Sequence, residues 1–220
     1  MRRVCHIIML LAAVVVLPRA ADARKFELTP YGGYRWGGDL RDTNRSADGA
    51  LFDLGFENGA VLGVAFDLVT TVPYLLFEIF WDRQFTELSA KDNLTGESSS
   101  LGTVDIDNVH IGIVYELSHV YNYSDSPPVR PFLGFSFGGA RFAPRNDALD
   151  KEWRLTIGFT LGIKYFFSER IALRTQTRIM TTYFDSSSKT FCDEAGRCFV
   201  LADAAFMNQV DLTAGLTFAF

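Results

Sequence analysis

No stretch of this chain is apolar for long enough to cross a bilayer as a helix, which takes about 20 residues. The apolar run Val4–Leu17 stops at fourteen. Basic residues are in deficit, with 21 Lys and Arg against 26 Asp and Glu, a balance that argues against nucleic acid as a partner. Cysteine is scarce, and so is histidine, each with 3 in the chain. Linkers, tandem repeats and low-complexity tracts are absent, so a single domain is expected at this length.

What stands at the N-terminus is a targeting signal. Arg2 and Arg3 precede the apolar run, and Ala21-Asp22-Ala23 follows it with the small residues of a cleavage site. Residues 1–23 are therefore expected to be a secretory signal and 24–220 the mature domain. Cys5 opens the apolar run rather than marking a cleavage site, so it does not indicate a lipoprotein. The signal carries Arg2, Arg3, Arg19 and Asp22, which leaves 18 basic and 25 acidic residues, a net charge of −7. Cys192 and Cys198 remain, and two close cysteines in an exported chain favour a disulfide. A metal site there would want more ligands than Asp193 and Glu194. No metal or cofactor is expected.

The dominant pattern has period two. In WRLTIGFTLGIKYF the odd positions from Trp153 to Tyr165 are all apolar or aromatic, while Arg154, Thr156, Gly158, Thr160, Gly162 and Lys164 alternate with them. No amphipathic helix fits that register. The alternation recurs at 26–36, 54–67, 74–85, 108–115, 133–138, 171–183 and 206–220, which predicts eight strands. In the second of these, Leu54, Phe56, Leu62, Val64 and Phe66 share the apolar face. The polar stretches DLRDTNRSADGA, ELSAKDNLTGESSSLG, APRNDALDKE and DSSSKTFCDEAGRC read as long links, against short turns at 68–72 and 168–170. LSHVYNYSDSPPV is longer than this alternation wants. Long links at one end and short turns at the other suit an up-and-down meander.

The apolar face carries large side chains at almost every position, and the other face is rich in Gly, Thr and Ser with isolated charges. Small residues suit the inside of a narrow barrel and make a poor coat against water. Leu155 to Ile163 gives five apolar side chains without a charge, about what a tilted strand needs to cross the hydrocarbon layer. Aromatics fall at both ends of the apolar face: Tyr34, Trp36, Phe56, Trp81, Phe85, Trp153, Tyr183 and Phe206 towards the long links, Phe26, Phe66, Tyr115, Tyr165 and Phe220 towards the short turns. Two such girdles are the mark of a membrane barrel. The expected fold is all-β, an eight-stranded antiparallel up-and-down transmembrane β-barrel.

The opening FELTPYGGYRW, the internal RPFLGFSFGGARF and the closing LTAGLTFAF resemble the small eight-stranded outer-membrane barrels of Gram-negative bacteria, the OmpA/OmpX-like superfamily, over 26–220. The resemblance implies an outer-membrane location. It also implies that Phe220, Phe218 and Leu216 form the C-terminal signal read by the barrel-assembly machinery.

The inward charges Glu27, Arg35, Glu78, Asp82, Arg154, Lys164, Arg174, Arg178 and Asp211 must pair or meet trapped water, because an unpaired buried charge is expensive. They read as an ionic plug rather than an ion path. An enzyme is not expected: the mature histidines are His110 and His119, and neither lies in a recognisable nucleophile–base pattern. The function expected is a structural or loop-mediated interaction role, with a small channel, a lipid A-modifying enzyme and a lipocalin-like carrier as alternatives. Partners expected are outer-membrane lipid and lipopolysaccharide, the assembly machinery during biogenesis, and a loop ligand that no residue identifies.

Overall fold

The structure, a computed structural model, describes residues 25–40, 52–92, 97–117, 128–145, 150–184, 189–192, 198–201 and 206–220. The signal and most of the long links lie outside them. The described chain is built from strands: β1 (Phe26–Gly37), β2 (Asp39–Leu40), β3 (Phe52–Phe56), β4 (Gly59–Val69), β5 (Leu75–Asp92) and β6 (Ser98–Glu116). After these come β7 (Val129–Pro144), β8 (Glu152–Phe166), β9 (Ile171–Tyr183), β10 (Lys189–Cys192), β11 (Cys198–Leu201) and β12 (Phe206–Ala219).

Eight of them close into a ring. Hydrogen bonding runs β5-β4-β1-β12-β9-β8-β7-β6, and the β5–β6 pairing joins the ends. Every contact is antiparallel, and β1 meets β12 from Glu27↔Ala219 to Gly37↔Gln209. The row of partners that starts at Glu27 passes through Asp67, Glu78, Gly112, Ser136, Gly158, Met180 and Gln209 and returns to β1 at Gly37. The circuit thus ends ten residues (27 to 37) from its start. With eight strands, such a stagger sets a tilt of about 35–45° and a bore that side chains fill.

The last residue is held as firmly as the strand before it. The Phe220 amide donates to the Phe26 carbonyl at 3.0 Å, the Lys25 amide donates to the Phe220 carbonyl at 2.7 Å, and the Phe26 and Phe220 rings stack at 5.2 Å.

Three features differ from the pattern read in the sequence. Phe56 faces the lumen rather than the apolar outer face. The register between Phe56↔Leu88 and Val61↔Gln84 slips by one residue at Glu57-Asn58, and an extra residue reverses which face each later side chain takes. The second difference is length: β5 and β6 pair as far as Lys91↔Ser98, well into the stretch read as a polar link. Backbone hydrogen bonding holds that hairpin, and its exposed residues Ser98, Ser99 and Ser100 carry no apolar alternation to announce it. The third is the β10–β11 hairpin inside the last long link, with Cys192 and Cys198 as register partners.

The outside of the barrel is apolar. Leu155 is 64% exposed and Phe159 55%, and Leu62, Ile113, Phe137, Ile179 and Leu212 also stand on the outer surface. The girdle aromatics face out with them, in contacting pairs: Tyr34 with Trp36 at 5.1 Å and Tyr183 with Phe206 at 5.6 Å at the long-link end, Tyr165 with Phe167 at 5.1 Å at the other. Phe56 leaves this belt for the interior.

Candidate functional site

The inward positions of β1, β4, β5, β8, β9 and β12 bring charged side chains together because their sheet registers align them around one axis. Lys164 Nζ lies 2.6 Å from Glu27 and 3.2 Å from Asp67. Asp67 also accepts from Arg174 at 2.9 Å, and the second Arg174 Nη donates to Glu78 at 2.5 Å. Glu78 stands 3.7 Å from Arg178, which reaches Asp82 at 3.5 Å. Asp82 accepts from Arg35 at 3.0 Å, and Arg35 donates to Asp211 at 2.8 Å. One unbroken chain of ion pairs therefore runs from Glu27 to Asp211, with every member buried.

Neutral groups add hydrogen bonds to this chain, although Arg35 Nε, Asp67 Oδ1 and Asp211 Oδ1 have no hydrogen-bond partner among the described residues. Asn108 Nδ2 donates to Asp82 at 2.8 Å, the Tyr31 hydroxyl donates to Asp82 at 3.3 Å, and Arg178 Nε donates to Thr160 at 3.1 Å. Aromatic faces carry two of the cations: the Arg178 guanidinium sits 3.6 Å from the Phe80 ring centroid and that of Arg174 4.7 Å from Phe132. Glycines make room for the rings. A Cβ at Gly162 would lie 2.3 Å from the Phe132 ring, and one at Gly63 would lie 2.7 Å from that of Tyr31.

Arg154 stands apart from this network. It pairs with Glu152 two residues earlier on the same strand, and its guanidinium lies 5.7 Å from the Phe184 ring. Its position near the start of β8, at the long-link end, takes it past the last carboxylate of the chain. Two members were missed in the sequence. Asp67 closes the gap between Lys164 and Arg174, and Glu116 approaches Lys164 at 3.5 Å and Arg130 at 3.4 Å. Both are inward by parity but sit at strand ends, where the pattern blends into the turns.

Above the ions, towards the long links, the lumen turns apolar. Phe56, Leu88, Val104, Ile106, Ala140, Phe142, Phe184 and Met207 form one buried cluster, with Phe142 centred 5.3 Å from Phe56 and 5.4 Å from Phe184. Just beneath it Gln209 donates to Gln84 at 2.9 Å. At the short-turn end Leu76, Val114 and Phe132 pack together beside Lys164 and Arg174. The ionic chain is thus capped by an apolar layer at the long-link end and flanked by a smaller apolar cluster at the short-turn end. The sequence signal was present, as large apolar residues at inward parity (Leu76, Phe80, Ile106), but these only blur the alternation when read along one strand.

His110, the only histidine among the described residues, lies in the lumen. Its Nδ1 is 3.2 Å from the Ser136 hydroxyl, and its ring stacks on Phe80 at 4.8 Å. His119 falls outside the described residues. Cys192 and Cys198 face each other as backbone partners; a bond between them lies outside the described side chains. On β12, Leu216 is exposed and Phe218 half-buried, on the outer face that Phe220 continues.

The chain matches no protein-family model and no curated protein sequence. Among solved structures it is similar to Neisserial surface protein A, with a TM-score of 0.57 at 12% identity over 89% of this chain and 97% of that one. It is also similar to the outer membrane protein OprG from Pseudomonas aeruginosa, with a TM-score of 0.53 at 11% identity over 90% of this chain and 97% of that one. At such identities the likeness is one of fold. A ring of eight antiparallel strands, sealed where the first meets the last, gives this chain the barrel fold shared by these two structures.

Proposed function

We propose that the chain is an integral outer-membrane protein whose barrel is a sealed structural body and whose long-link end makes the surface contacts, in envelope integrity or adhesion. One observation carries this reading: the partition of side chains is inverted relative to a water-soluble barrel. Leu155 and Phe159 are more than half exposed while Arg35 and Arg178 have no exposure at all. Exposing an apolar band of this extent to water is unfavourable at about 25 cal/mol per Å², whereas acyl chains receive it without cost. The outer-membrane fold of the similar structures supports the same location.

Passage of solutes is not the reading the lumen favours. Ionic and apolar layers in series leave side chains across the whole bore, and an apolar constriction resists wetting. Nor is catalysis. The His110–Ser136 pair sits among these layers, and no described carboxylate hydrogen-bonds the second ring nitrogen, which buried orientation by an acid would require.

Within this reading residues 1–23 act as a cleaved export signal, and Phe220, Phe218 and Leu216 serve the assembly machinery. Cys192 and Cys198, opposite each other across a short hairpin, form a disulfide that braces the last long link.

The test is cell fractionation with gel mobility before and after boiling. A heat-shifted band in the outer-membrane fraction is expected; a heat-invariant band in the soluble periplasm rejects the reading. Deleting residues 193–197 should leave that shift intact while altering surface adhesion or envelope sensitivity.

A further inference from the structure

We propose that the outer wall of the barrel carries a binding site for the phosphate of an anionic lipid headgroup, formed by Arg83 and Arg141 and oriented by Asp107. The proposal rests on the membrane reading above.

The three residues occupy one cross-strand row, Arg83↔Asp107↔Arg141, on β5, β6 and β7. By parity all three point away from the lumen. Asp107 is nevertheless only 3% exposed, because the two guanidiniums cover it. Arg83 donates from Nε to Oδ1 at 2.6 Å and from Nη2 to Oδ2 at 3.1 Å; Arg141 donates from Nε and Nη2 to Oδ2 at 3.1 and 2.7 Å. One carboxylate thus fixes two forks through the same pair of nitrogens.

A guanidinium has five N–H donors. The Nη1 group of each arginine lies outside these bonds, and both side chains are about one-third exposed, at 34% and 33%. Neutralising Asp107 needs one arginine, so the row keeps a surplus positive charge. The adjacent Asp105–Arg145 pair, at 3.1 Å, balances itself. Two pre-aimed forks with one unspent charge match a phosphate, which takes arginine in bidentate geometry.

The surroundings select a lipid over a soluble anion. Trp153 completes the charged row as the partner of Arg141, and the Arg83 guanidinium lies 5.8 Å from the Trp81 ring. The site therefore sits within the aromatic girdle at the long-link end. The next row down is Trp81, Val109, Gly139 and Leu155, with Ile111 and Phe137 beneath, and apart from the glycine these are exposed. A molecule with phosphate at the arginines can lay its acyl chains directly along that wall. Charges on a barrel exterior cost little at this depth, about 0–1 kcal/mol.

The test uses the full chain folded into phosphatidylcholine nanodiscs, probed with bisphosphorylated lipid A and with its dephosphorylated counterpart. Heat-shifted mobility in phosphatidylcholine alone checks the membrane reading first, independently of lipid A. The wild type should retain the bisphosphorylated probe at least about tenfold better by native mass spectrometry, the worth of one charge-assisted pair. R83Q/R141Q, folded by the same gel criterion, should lose that preference. Protection of Arg83 and Arg141 from phenylglyoxal by the bisphosphorylated probe, in the wild type, gives a readout that no variant is needed for. Equal retention of both probes, preference surviving in the double variant, or unprotected arginines would each overturn the proposal.

Discussion

Arg35 on the first strand and Asp211 on the last are register partners, and their side chains meet at 2.8 Å inside the lumen. The seam that closes the barrel is thus joined by an ion pair as well as by the backbone ladder. Because Arg35 also holds Asp82, Arg35→Met takes the paired cation from Asp211 and leaves Asp82 with the longer Arg178 contact. A loss of about 3–5 kcal/mol is expected. Asp211→Asn, which leaves the Arg35–Asp82 bond in place, should cost less. Denaturant titration followed by gel mobility orders the two; an Asp211→Asn loss equal to that of Arg35→Met would mean that the seam pair alone matters.

Arg178 and Arg154 make a second comparison. Arg178 touches Glu78, Asp82, Tyr31, Thr160 and Phe80, whereas among the described residues Arg154 pairs with Glu152 on its own strand and lies by Phe184. Arg178→Ala should lower the unfolding temperature clearly, by the same buried-pair arithmetic. Arg154→Ala should cost less than about 1 kcal/mol, as partly exposed pairs do. Equal shifts would put Arg154 back into the network.

The apolar stopper at the long-link end invites a conductance measurement. Ile106→Ala with Phe142→Ala removes its two central side chains and leaves the ions below intact. Wild-type protein in planar bilayers should be silent, and the double variant should show small steps or ion-driven noise. A silent variant that still shows heat-shifted mobility would assign the seal to the ionic layer alone.

Gly162 is pinned between the Phe132 ring and the Thr175 carbonyl, at 2.3 and 2.6 Å from where a Cβ would stand. Gly162→Ala should therefore destabilise by about 1–3 kcal/mol, the usual range for overpacking. Phe132→Leu in the same chain should restore part of that loss, because the ring can shrink but the carbonyl cannot move. Full rescue would show that the carbonyl contact relaxes unaided.

For the cysteines, exported protein denatured under alkylating conditions should show no free thiol until it is reduced. Cys192→Ser with Cys198→Ser should still fold, since a loop this short contributes about 2 kcal/mol. Alkylation of both residues without reductant would rule the bond out.

Much of the barrel could be read along the chain because each spanning strand meets two different environments, and alternation records both. Glu27, Arg35, Glu78, Asp82, Lys164, Arg174, Arg178 and Asp211 fall on the inward parity for that reason. What alternation cannot record is depth or count. Arg154 has the right parity at the wrong height. Asp67 and Glu116 sit where strands turn, and the bulge at Glu57-Asn58 reverses Phe56 through one residue that leaves no compositional trace. The outward row Arg83, Asp107 and Arg141 was invisible for a different reason: its members come from three strands, and only the register brings them side by side.

The tight fit of Phe132 over Gly162, and of Tyr31 over Gly63, has an evolutionary consequence. Strand number and stagger hold the diameter constant, so volume gained by one tenant of the interior has to be surrendered by its neighbour. Descendants of this sequence that acquire a methyl group at position 162 or 63 should carry a smaller residue at 132 or 31, and an alignment would show these sites drifting in opposite directions, two by two.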